Sequence, residues 1–231
     1  MQPDLTKRLA AEALGTFGFF FSGFCGIAAL VTVLGSIQTL GIAAGFGFGL
    51  ALMIFAFGHI SGGHFNPAVT AGLATARRFP TSEILPYWAA QLVGGLAAAI
   101  LLRIIFSHFV VRATVNSPAA NVSSFKAMVL EAVFTFLFLL VICTVATDTR
   151  APWSGVFAPF AIGLFIFTAA TVCGPLSGGS FNPARSIAPA IVATHFGDLW
   201  IYIVGPLVCG AIGGLVHGWF RADDAAAAPA A

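Results

Sequence analysis

Two asparagines, Asn66 and Asn182, are the polar residues best placed to do chemistry in an otherwise apolar chain. Each sits in a copy of one motif, Ser61-Gly62-Gly63-His64-Phe65-Asn66-Pro67-Ala68 and Ser177-Gly178-Gly179-Ser180-Phe181-Asn182-Pro183-Ala184. The copies lie 116 positions apart (182 minus 66), close to half of 231. Asn is a preferred helix N-cap and Pro is favoured at the first helical position, so Asn66-Pro67 and Asn182-Pro183 read as two helix starts. The Ser-Gly-Gly leads supply backbone with freedom in φ. In that geometry the side-chain oxygen of each asparagine caps its own helix and leaves the amide NH₂ to donate into a lumen. This is hydrogen-bonding chemistry with no nucleophile. Arg185, three residues after Asn182, adds a fixed positive charge inside an apolar segment, where an unpaired cation is costly. Glu12 and Glu131 precede the two asparagines by 54 and 51 residues. Their matched placement reads as bracing of loop N–H groups, in preference to proton coupling.

The elements that must position these groups follow from composition. The chain is 59% hydrophobic and 8% charged, with mean hydropathy +0.99, which a water-soluble core cannot absorb. Six stretches reach the roughly 20 residues that a helix needs to cross a bilayer: about 10–31, 40–59, 84–106, 125–146, 155–174 and 199–219. Two more, 67–76 and 183–193, are half that length and begin at the motifs. Three spans per half is an odd number, so the second half runs through the membrane in the opposite sense, an inverted repeat. The expected architecture is all-α, with six transmembrane helices plus two re-entrant half-helices in an inverted 3+3 repeat. It forms one domain over 1–231, with repeats at about 9–106 and 124–220 and a polar outer connection at 107–123.

Lys7, Arg8, Arg77, Arg78, Arg150 and Arg221 fall on the side shared by both termini, and Arg103, Arg112 and Lys126 on the other. The excess of basic residues places the termini in the cytoplasm. Compactness and short tails point to a bacterial plasma membrane. A net charge of +2 offers nothing to nucleic acid. Cys25, Cys143, Cys173 and Cys209 have no metal-ligand or pairing spacing, so no metal or cofactor is expected. No GxSG nucleophile motif joins Ser22, Ser61 or Ser177 to a histidine on another span, which speaks against an enzyme. Gly41, Gly45, Gly47 and Gly49 permit close helix contacts.

Two half-helices entering from opposite faces bring their positive ends together near the midplane. Non-helical leads are tolerated there only when buried in protein or lining a wet path. A cation meets an adverse potential at such a place, whereas water is oriented by two donors.

The paired Asn-Pro-Ala motifs, with arginine after only the second, resemble the major intrinsic protein family, the aquaporins and aquaglyceroporins, and the pattern is closest to bacterial members. The resemblance runs from Glu12 to about His217. It implies a homotetramer with one pore per subunit, and pore-lining carbonyls at Gly62, Gly63, His64, Gly178 and Ser180. It also implies a selectivity filter of Phe46, Ala170, Gly179 and Arg185, found twenty residues before Asn66, twelve and three before Asn182, and three after it. Water-selective relatives usually carry His where this chain has Ala170, and glycerol-conducting ones usually have two bulky aromatics. Ser186, Ala190 and the segment Trp200–Pro206, with Ile203 in place of the usual tryptophan, follow the water-channel pattern. The expected function is passive conduction of water with exclusion of protons and ions, through a filter wide enough for small neutral solutes. The alternative among channels is a facilitator for glycerol, ammonia, hydrogen peroxide or neutral metalloid hydroxides, with water incidental. From another class it is an inverted-repeat secondary transporter.

Overall fold

The computed structural model describes residues 3–33, 38–153 and 155–221. The ends of the expected single domain, and positions 34–37 inside its first repeat, lie outside these described residues. Nine α-helices follow one another among them: α1 (Leu5–Thr32), α2 (Thr39–Ser61), α3 (Pro67–Thr75), α4 (Ile84–Ile105), α5 (His108–Thr114), α6 (Ser124–Ile142), α7 (Ala158–Ser177), α8 (Pro183–Val192) and α9 (Ile201–Phe220). A π-helical turn, Cys143–Thr147, extends α6. Six segments are long and apolar enough to cross a membrane, built on α1, α2, α4, α6, α7 and α9. Leu52, Phe55, Leu85, Ile104 and Leu215 stand exposed on them, as side chains facing lipid would. The polar set Glu12, Thr16, Gln91, Glu131 and Thr135 is fully buried instead.

The two halves interlock. Helix α1 packs on α2 and α4 just as α6 packs on α7 and α9, and α2 and α7 close the seam between halves. Half-helix α3 packs chiefly on α9 of the other half, and α8 on α4. Glycine makes the central seam possible. A Cβ on Gly47 of α2 would stand 2.7 Å from the carbonyl oxygen of Gly163, and one on Gly163 would stand 2.7 Å from Ala51 Cβ. Small residues let helix backbones approach where lipid supplies no hydrophobic drive.

Two sequence expectations need correcting. The connection 107–123 is not only a polar linker, because it contains α5. Ser107 caps that helix by accepting from Val110 N at 3.3 Å, and Val110 and Val111 are buried in the core. Helix α1 also begins about five residues before the apolar stretch does, which takes in Lys7 and Arg8. Arg8 is tolerated there because its guanidinium donates to both carboxylate oxygens of Glu83 and to the Tyr87 hydroxyl.

Candidate functional site

Helices α2 and α7 each end on a glycine in the left-handed region, Gly62 at φ 94° and Gly178 at φ 90°. The next glycines, Gly63 and Gly179, are left-handed too, at 64° and 56°. The chain therefore turns back as non-helical backbone at the depth where each long helix stops. Phe65 and Phe181 continue the turn at φ 48° and 53°, a region that costs a non-glycine residue on the order of 1 kcal/mol or more. Hydrogen bonds beneath the loops hold them in it.

Glu12 accepts from Ser61 Oγ (2.7 Å), His64 N (2.9 Å), Phe65 N (2.8 Å) and Gln91 Nε2 (2.8 Å). Glu131 accepts from Ser177 Oγ (2.7 Å), Ser180 N (3.0 Å) and Phe181 N (2.7 Å). Tyr87 Oη donates to the carbonyl oxygen of Ser61 at 2.8 Å, and Tyr202 Oη to that of Ser177 at 2.6 Å. Each loop thus hangs on one carboxylate and one tyrosine.

The asparagines close the arrangement. Asn66 Oδ1 accepts from Ala68 N at 2.8 Å, and Asn182 Oδ1 from Ala184 N at 3.0 Å and Arg185 N at 3.3 Å. Their amide nitrogens cross to the other half: Asn66 Nδ2 donates to the Phe181 carbonyl at 2.8 Å and Asn182 Nδ2 to the Phe65 carbonyl at 2.9 Å. The expectation of a wholly free NH₂ is corrected accordingly, since one of the two N–H bonds on each amide is taken and one remains. The positive ends of α3 and α8 meet at this point.

Two cavities flank the asparagines, one beside the 107–123 connection, here called outer, and one beside Arg78 and Thr147, here called inner; neither asparagine is in the wall of either. The outer cavity, of about 350 Å³, has Phe46, Ala170, Gly178, Gly179, Arg185 and Asn116 in its wall. The inner one, of about 190 Å³, is lined by Gly62, Gly63, His64, Val69 and Arg78 among others. The four positions chosen by offset, Phe46, Ala170, Gly179 and Arg185, are thus neighbours in one wall. Ser180 is in neither wall. It is buried, with its hydroxyl 2.6 Å from Ser186 Oγ.

Arg185 is 4% exposed. Its Nη1 donates to the Thr114 carbonyl at 2.8 Å and to Asn116 Oδ1, while Nη2 has no hydrogen-bond partner among the described residues. Its guanidinium carbon lies 5.2 Å from the Phe46 ring centroid and 5.7 Å from that of Phe24, within cation–π range. His64 Nδ1 lies 3.1 Å from Thr70 Oγ1, and its ring packs on Phe79 and Tyr87.

The profile of the major intrinsic protein family matches residues 1–217. This chain belongs to the major intrinsic protein family. It is 44% identical over 222 residues to the probable aquaporin NIP4-2 of Arabidopsis thaliana, covering 95% of this chain and 76% of that one. To nodulin-26 of Glycine max it is 39% identical over 220 residues, covering 94% and 79%. The X-ray structure of the aquaglyceroporin from Plasmodium falciparum superposes with a TM-score of 0.82 at 24% identity, covering 94% of this chain and 96% of that one. Its likeness establishes the fold of this major intrinsic protein: six spans and two half-helices in an inverted repeat. The chain is a multi-pass membrane protein. The Arabidopsis and Glycine relatives are plant proteins, whereas the sequence pattern pointed to bacterial members.

Sequence reasoning passed over several residues of this site. Tyr87 and Tyr202 carried a usable signal: they are the only two tyrosines in the chain, 21 and 20 residues past their asparagines. Gln91, Thr114 and Asn116 carried none, because nothing in the linear pattern aims a residue of one segment at the loop of another.

Proposed function

We propose that this protein is a passive channel conducting water and small uncharged solutes between the inner and outer cavities, past the Asn66–Asn182 pair. The observation that carries this reading is the cross-bonded pair of half-helix starts, each asparagine capping its own helix and holding the opposite loop. One remaining amide N–H per asparagine suits water, and two positive helix ends with Arg185 oppose cations. The Arabidopsis relative's name, aquaporin, supports the same reading.

Phe46, Ala170, Gly179 and Arg185 form the filter in this proposal, with Ala170 and Gly179 leaving one side of the outer cavity open. That width favours admission of ammonia, hydrogen peroxide, glycerol or neutral metalloid hydroxides beside water. Carbonyls of Gly62, Gly63 and His64 would line the inner approach, and Glu12 and Glu131 would keep both loops in register. The repeat boundaries at about 9–106 and 124–220 draw support from the matched pairs Glu12/Glu131, Tyr87/Tyr202 and Asn66/Asn182. A plasma-membrane location with both termini cytoplasmic is supported by the clustering of basic residues. A homotetramer is consistent with the exposed apolar helix faces.

Stopped-flow light scattering on proteoliposomes tests the reading. Water permeability well above that of empty vesicles, with an activation energy near that of water self-diffusion, is expected. Permeability equal to empty vesicles overturns it, and a carrier-like activation energy favours a transporter. Ala170→His should narrow the range of neutral solutes while water still passes. An unchanged range would mean that the filter lies elsewhere.

A further inference from the structure

Asn116 belongs to the outer connection, outside both motif copies, yet its side chain touches three parts of the outer site. Its Oδ1 accepts from Arg185 Nη1 and, at 2.8 Å, from Ser186 Oγ. Its Nδ2 donates to the Gly178 carbonyl at 2.8 Å. The residue is 5% exposed and stands in the outer cavity wall. The fit is close: a Cβ on Gly178 would come within 2.9 Å of Asn116 Nδ2. Gly178 is therefore restricted both by its φ and by this amide. The inner loop has no matching clamp, since a Cβ on Gly62 would meet only the ring of its own neighbour His64.

We infer that Asn116 is a positioning residue that sets the filter by holding the Arg185 guanidinium against the outer wall and tying it to the loop carrying Gly178 and Gly179. The inference rests on the proposed channel function. Arg185 has two protein acceptors, the Thr114 carbonyl and Asn116 Oδ1, and both come from the outer connection. Without the amide, one guanidinium N–H loses a charge-assisted bond in a buried setting, where such bonds are strongest. The side chain is then freer to move into the outer cavity, in whose wall it stands. Ser186 Oγ keeps only Ser180 as a partner, and the Gly178 carbonyl loses its donor. The outer connection thereby acts on permeation through the Asn116 side chain.

The test is a double-mutant cycle of water permeability per reconstituted channel, using wild type, Asn116→Ala, Arg185→Val and the double variant. Asn116→Ala should lower permeability about tenfold or more, the scale of one lost bond to a charged group. It should have a much smaller effect on the Arg185→Val background, where only the bonds to Gly178 and Ser186 are left to lose. Asn116→Asp keeps the acceptor oxygen for Arg185 and Ser186, and should stay closer to wild type than Asn116→Ala does. A purely structural role would lower permeability equally on both backgrounds, and that result, or no change at all, overturns the inference. If Asn116→Ala does not reach the membrane, Asn116→Ser decides by the same comparison, because its hydroxyl is too short to reach Arg185. A wild-type protein that conducts no water would defeat the channel proposal itself, a result distinct from either of these.

Discussion

The stretch from Ser61 to Val69 and the stretch from Ser177 to Arg185 are one device built twice, and they differ in what surrounds them. Both hang on a buried glutamate and a tyrosine, both pass through a left-handed phenylalanine, and both end on a capping asparagine. Three residues into the half-helix the inner copy has Val69 and the outer has Arg185. Beyond the shared glutamate, tyrosine and crossed asparagine, the inner loop is held by Gln91, Thr70 and Arg8 of its own half. The outer loop has an extra anchor from the connection between the halves, Asn116. The phenylalanines are also seated differently: Phe65 lies where Gly15 leaves room, whereas Phe181 meets the ring of Phe134 at 5.8 Å. A symmetric frame supplies the point where the two half-helices meet, and the proposed discrimination rests on departures from symmetry at one end.

The comparison can be pressed hardest at the glutamates. Replacing either with glutamine places an NH₂ against buried backbone donors, and each unmatched group costs about 1–3 kcal/mol. Glu12→Gln has some relief, because Gln91 Oε1 has no hydrogen-bond partner and the Gln91 amide can turn to offer it. Glu131 has no such neighbour. Thermal unfolding in detergent should therefore show a larger loss for Glu131→Gln than for Glu12→Gln, and the reverse order would break the account of the two braces.

The next effect concerns charge. Arg185→Val makes the outer copy match the inner one at this position, with Val69 as the template. It should raise glycerol permeability by about an order of magnitude and weaken the barrier to cations, both in the proteoliposome assay. Unchanged solute selectivity would show that the asymmetry at this position is not what discriminates.

The smallest expected effect separates the two ends of the molecule by pH. At the inner end Asp148 is held by Arg150, with Arg150 Nε at 2.9 Å from Oδ1 and Nη2 at 2.7 Å from Oδ2. That hydrogen bonding brings the Asp148 carboxyl down to about 2. A carboxyl lowered on folding stabilises the fold above its ordinary value of 3.8 and loses that contribution as pH falls through about 2. The Asn116 amide at the outer end does not titrate. Acid unfolding between these values should be less steep in Asp148→Asn and unaltered in Asn116→Ala.

Much of this organisation was readable in advance, and physics explains where reading stopped. Asn66, Asn182, Glu12, Glu131 and Arg185 stand out because polar side chains are costly in a lipid-facing chain, so each needs a reason to be there. Pro67 and Pro183 announced helix starts because of their fixed φ and missing N–H. Helix α5 was hidden because seven residues with two buried valines leave too little periodicity to notice. The bonds from Asn66 and Asn182 to Phe181 and Phe65 were hidden because their acceptors are backbone carbonyls, which every residue possesses. Asn116 was hidden because an asparagine in a polar connection is ordinary until a partner about 70 positions away is known.

Those crossed amides also bear on how the protein is made. A ribosome delivers the first three spans before the last three, so for part of synthesis Asn66 has no Phe181 and the Phe65 carbonyl has no Asn182. Half-helix α3 likewise waits for α9, against which it packs. The leading half thus lacks these contacts until the trailing half arrives, with only its own groups, Glu12 and Tyr87 among them, to hold the inner loop. Closure around the asparagines therefore waits for synthesis of α9.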